Sequence, residues 1–136
     1  MTIKTILAGG VIMLSLACSG PEKLVSDTSK DQIYFGKSGG FTNISTEYLL
    51  VEKYVFKREG ENFSMIRKLS GEQVKSINAL VNALDFSNLN LNEPGNMTYH
   101  IKLVKAGTAH EVKWSDTSEN SRIRELYKAL TGTIKE

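Results

Sequence analysis

Apolar residues alternate with polar ones in two neighbouring runs near the C-terminal end of this chain and follow a helical period in two windows. Met97, Tyr99, Ile101 and Leu103 alternate with Thr98, His100 and Lys102, and Val112 and Trp114 alternate with Glu111 and Lys113. Period two is the mark of a strand with one buried face. Ala106-Gly107 between these runs predicts a hairpin pairing 105 with 108, 103 with 110, 101 with 112 and 99 with 114. Upstream, Ile33-Tyr34-Phe35 is a short strand ending at Gly36, and Lys37 to Gly40 is a turn or loop. Ile44 to Lys57 divides into two strands near Glu52-Lys53, and Phe63 to Leu69 is a further strand after a turn at Glu59-Asn62. Ser70 and Gln73 form a capping box, and Val74, Ile77, Leu80, Val81 and Leu84 make one stripe, so a helix is expected over 71–84. Asn88 to Asn96, with Pro94-Gly95, is a loop. Ile123, Leu126, Tyr127 and Leu130 mark a last helix, capped by Asp116 and Glu119 and stopped at Gly132. The expectation is an α+β domain in the order β-β-β-α-β-β-α, an antiparallel sheet of four to five strands with two helices packed on it.

The N-terminus has a different character. Lys4 is followed by Thr5 to Ala17, 13 uncharged and mostly apolar residues, and Ser15-Leu16-Ala17 places small residues at −3 and −1 before Cys18. This is the layout of an export signal, too short for the roughly 20 residues of a membrane span. A cysteine directly after the cut resembles the lipobox of bacterial lipoproteins, where the thiol carries a diacylglycerol. The same small residues also suit ordinary signal peptidase, which would leave Cys18 free. The expected division is a signal peptide at 1–17, a lipid-anchored tether at 18–30 and one domain at 31–136. Its expected place is the bacterial cell envelope, held to the membrane through the N-terminal lipid. Cys18 is the only cysteine, so no intramolecular disulfide forms and the fold rests on packing.

Charge and chemistry narrow the function. With 17 Lys and Arg against 15 Asp and Glu, nothing electrostatic points to nucleic acid. The hairpin register puts His110 on the face of Ile101, Leu103, Val112 and Trp114, as a partly buried packing residue. It puts His100 on the other face, opposite Lys113, as a solvated one. Side chains on opposite faces cannot share a metal. No His-Glu-x-x-His, cysteine pair, Walker loop or Gly-x-Ser-x-Gly elbow occurs. The expectation is a monomeric non-enzyme with no metal or cofactor of its own.

One motif stands apart: Lys37-Ser38-Gly39-Gly40-Phe41-Thr42-Asn43, with an aromatic directly after paired glycines. Phe41 either folds back into the core or points outward as a binding anchor. This Ser-Gly-Gly-Phe soon after a first strand, a longer strand region, a helix opening near Leu69-Ser70, the aromatic strand Tyr99-His100-Ile101, a return strand ending in Trp114 and a closing helix resemble the emfourin family. These are small proteins similar to the protealysin inhibitor, which block thermolysin-like zinc metallopeptidases. The family usually continues Gly-Gly-Phe with a small pair, where this chain has Thr42-Asn43. The resemblance implies inhibition by occlusion, with a secreted or periplasmic zinc metallopeptidase as partner and the zinc belonging to that enzyme. It implies contact through Gly39, Gly40, Phe41, Thr42 and Asn43, and more weakly through Ala106-Gly107 and the Asn92–Asn96 loop. The alternative is an envelope binding or structural lipoprotein module with no peptidase partner.

Overall fold

Gly36 is an unfavourable strand residue, yet the first strand runs straight through it in the computed structural model, which describes residues 20–135. β1 spans Gln32–Gly39 and lies at the middle of the sheet. It pairs antiparallel with β2 (Ile44–Val51) on one side and β5 (Met97–Lys105) on the other. Two ladders hold the backbone extended at Gly36 regardless of its propensity, which is why the strand outruns the short run Ile33–Phe35. β3 (Tyr54–Glu59) and β4 (Asn62–Lys68) continue from β2, and β6 (Thr108–Ser115) flanks β5. The result is a six-stranded antiparallel sheet in the order β4-β3-β2-β1-β5-β6, with α1 (Gly71–Ala83) and α2 (Ser121–Gly132) as its two main helices. The α+β class is as expected. The strand count is larger than four to five: the four segments read as strands ahead of α1 all form, one more than the order β-β-β-α-β-β-α allows.

The β5–β6 register is the expected one, with Leu103 opposite His110 and Tyr99 opposite Trp114. Ala106 and Gly107 both take positive φ, as a two-residue hairpin turn requires. Glu52-Lys53 turns β2 into β3 with Glu52 at φ 54°. The capping box closes as read: the Ser70 hydroxyl accepts from the Gln73 N–H, and the Gln73 side chain accepts from the Ser70 N–H. The cap of α2 differs. Asn120 Oδ1 accepts from the Ile123 N–H, while Asp116 accepts the Tyr99 hydroxyl at 2.7 Å and is drawn away from the helix.

The helices cover one face of the sheet. Ile33, Phe35, Leu50, Val55, Ile101, Leu103, Val112 and Trp114 point into a core closed by Ile77 and Val81 of α1 and Ile123, Leu126 and Leu130 of α2. Among the described residues, no α-helix covers the other face. Part of the segment read as a tether folds there: Pro21–Ser26 is a 3-10 helix. Its Leu24 and Val25 pack on Leu49, Val51 and Phe56, which are fully buried. The Gln32 amide fastens it by donating to the Leu24 and Val25 carbonyls at 3.3 and 3.1 Å. The signal peptide 1–17 and Cys18 lie outside the described residues.

Candidate functional site

The β1–β2 connection is built by its glycines. Gly39 and Gly40 have φ of 99° and 78°, and Asn43 has 49°, a left-handed conformation that suits glycine and asparagine. A Cβ on Gly39 would run into the Asn96 carbonyl. The Gly40 N–H donates to that carbonyl at 2.8 Å, and the Asn43 N–H donates to the Gly40 carbonyl at 3.2 Å. The loop is therefore pinned by its own backbone and by the Asn92–Asn96 segment. Its side chains are left over: Phe41 is fully exposed, Thr42 and Asn43 are exposed, and Ile44 retains 61% of its surface. Of the two conformations open to Phe41, the structure has the outward one.

Gly39, Gly40, Phe41, Thr42 and Asn43 thus form one tip, and the Asn92–Asn96 loop stands beside it. Ala106-Gly107 does not join them. Gly39 pairs with Met97 and Gln32 with Val104, so the β5–β6 turn lies at the opposite end of the sheet.

Both histidines were placed on the expected faces, but His100 is not solvated. It is only 9% exposed, because Gly36 lies between it and Glu47 in the cross-strand row. With no side chain on the intervening strand, His100 Nε2 reaches Glu47 Oε2 at 3.0 Å. Glu47 Oε1 accepts from Arg58 Nε and Nη2 at 3.0 and 2.8 Å. The His100 contact, followed by Arg58, holds the Glu47 carboxyl below its ordinary pKa of 4.5, against an opposing effect of burial. Residues 53 apart carry no local signal of this pairing; only the three-strand register brings them together. His110 behaves as read, with Nε2 2.6 Å from the Leu89 carbonyl and its ring edge-on to Phe86.

On the helix side, Tyr99, Trp114 and Tyr127 form an aromatic cluster with ring centroids 5.2–5.8 Å apart. Burial, with Tyr99 and Tyr48 nearby, pushes the Tyr127 hydroxyl up to about 12. The hydrogen bond to Asp116 raises Tyr99 as well. Among the described residues, no group of three or more His, Cys, Asp or Glu side chains is placed to hold a metal ion.

No protein-family model matches the chain, and no curated protein matches it.

Proposed function

We propose that this protein is a lipid-anchored recognition module of the bacterial envelope, which blocks a thermolysin-like zinc peptidase by lodging the β1–β2 tip in its cleft. The observation that carries this reading is a fully exposed Phe41 on a backbone that is itself hydrogen-bonded. An aromatic side chain presented by a rigid loop loses little conformational freedom on binding and buries a large apolar area. The action is steric, and the zinc is the target's.

The position of the N-terminal segment supports the same reading. The Pro21–Ser26 helix is held by Gln32, at the end of β1 remote from the tip. Only two residues separate Cys18 from Pro21, a reach of about 10 Å. β1 is 8 residues long, so the tip stands about 26 Å further along the sheet. An acyl chain on Cys18 leaves Phe41 directed away from the bilayer, where a soluble partner meets it.

The test is a stoichiometric inhibition assay of purified residues 19–136 against thermolysin-like peptidases from the same envelope. Phe41→Ala is expected to raise the inhibition constant roughly 30-fold, about 2 kcal/mol. Its melting temperature should stay the same, since the side chain touches no core. Unchanged inhibition by the alanine variant removes Phe41 from the mechanism. No inhibition of any peptidase rejects the inhibitor and leaves the tip to a non-peptidase partner.

A further inference from the structure

The tip has a neighbour on the helix side of the sheet. Beyond the C-terminal half of α2 the sheet is uncovered, and a cavity of about 370 Å³ opens there. Tyr48, Tyr99 and Tyr127 wall it, Ile134 closes one side, and Lys37 and Lys135 stand at its edge. A volume of this size suits a small organic molecule.

The lining has a definite chemistry. The walls are aromatic: Tyr99 meets Tyr127 edge-on at 5.4 Å, and Tyr48 is stacked from behind by Phe35 at 5.4 Å. These rings are backed by core residues and are held in place before any ligand arrives. No carboxylate lines the cavity. Lys37 and Lys135 are exposed and make no ion pair among the described residues. The nearest acid to the aromatic cluster, Asp116, is occupied by the Tyr99 hydroxyl and sits on the far side of that ring, with Arg124. The Tyr48 and Tyr127 hydroxyls have no hydrogen-bond partner among the described residues and are not buried orphans. The Tyr127 phenol is protonated at neutral pH, with burial pushing it further up to about 12, so it is available as a donor.

We infer that this cleft binds a small aromatic monocarboxylate, with its ring against Tyr48 and Tyr127 and its carboxylate between Lys37 and Lys135. Aromatic rings gain from offset or edge-on contact with fixed tyrosines, and two ammonium groups with no ion-pair partner among the described residues favour an anion. The inference does not depend on the peptidase reading, because a chain that inhibits nothing can still hold the acid.

The experiment is an NMR titration of the purified protein with phenylacetate, followed at the Thr131, Ile134 and Lys135 amides and by Trp114 fluorescence. Trp114 is the only tryptophan and lies 5.2 Å from Tyr127. Saturable shifts with Kd on the order of 1 mM are expected for a ligand of this size. Lys37→Glu with Lys135→Glu should weaken binding at least roughly tenfold. Both lysines are exposed, so this variant is expected to fold. Phenylacetamide should bind more weakly than phenylacetate, and cyclohexylacetate should lose the part due to ring contact. Absence of saturable shifts overturns the inference. Binding that survives the double charge reversal, or that is equal for the neutral amide, overturns it too.

Discussion

The two faces of the sheet share the same six strands and stay dry in different ways. On one face, two amphipathic helices supply an apolar layer that opens only beyond the end of α2, and the core is aliphatic and aromatic throughout. On the other, a six-residue 3-10 helix covers only the end near Gln32. The rest is closed by long side chains lying across the strands. Arg58 stacks over Phe63 at 4.7 Å and Lys102 over Tyr34 at 4.3 Å, and the Glu47–His100 contact bridges Gly36. A strand face without a second layer can thus bury a histidine to 9%, provided charged residues pair flat on the sheet. The difference is one of mechanism: packing volume on the helix side, and hydrogen-bonded charge with snorkelling side chains on the other.

The sharpest break of this comparison is Phe35→Ala. Phe35 is fully buried on the central strand beneath both helices, and its removal should cost about 4 kcal/mol in chemical denaturation. Phe63→Ala on the open face should cost clearly less, since Phe63 is only half-buried. Equal losses would mean the open face is packed as tightly as the covered one.

Glu47→Gln comes next. It keeps the shape of the row and removes its charge. A loss of about 1.5 kcal/mol at neutral pH is expected, the lower part of the range for bonds to charged groups because solvent reaches the row. The pH dependence has a fixed sign. The folded-state pKa of Glu47 is depressed below 4.5, so its contribution is present above 4.5 and is lost as pH falls through the folded value. The stability gap between parent and variant should therefore narrow as pH falls below about 4.5. Arg58, His100 and Tyr34 are the groups that sense this charge. A gap that persists unchanged to pH 3 would show that the row is held by shape and not by charge.

The same contrast decides what could be read from the sequence. The covered face was legible because alternation in the strands and the stripes of 74–84 and 123–130 point to one layer. The α1 cap and the β5–β6 register follow from local residues and stand as expected. The ends of β1 were missed because Gly36 and Gly39 are read as breakers, whereas pairing on both sides overrides propensity at the sheet centre. The open face was largely hidden. Alternation alone assigns His100 to solvent, and nothing within a few residues reveals that Glu47 will reach it over a glycine. The α2 cap was misplaced because Asp116 has a competitor, the Tyr99 hydroxyl, that only the fold supplies. Of the candidate site, the grouping of Gly39 to Asn43 was visible as a motif. The support it receives from Asn96, and the remoteness of Ala106-Gly107, come from strand register.

The smallest expected effect tests the 3-10 helix that covers part of the open face. Leu24 is half-buried against Leu49, Val51 and Phe56. Leu24→Ser gives up part of its apolar burial, about 1 kcal/mol. If the Gln32 amide and the Leu24 side chain hold the 3-10 helix together, the variant should release residues 20–30 as a unit. Limited proteolysis would then cut this segment well before the domain, and hydrogen exchange at Leu49 and Val51 would quicken while Phe35 and Ile101 stay protected. On the proposed anchoring through Cys18, releasing residues 20–30 would leave about a dozen residues of flexible linker between anchor and domain, ample to let the domain tumble. A variant cut no faster than the parent would mean that the 3-10 helix rests on Gln32 alone, and that the Leu49–Val51–Phe56 cluster is dry without it.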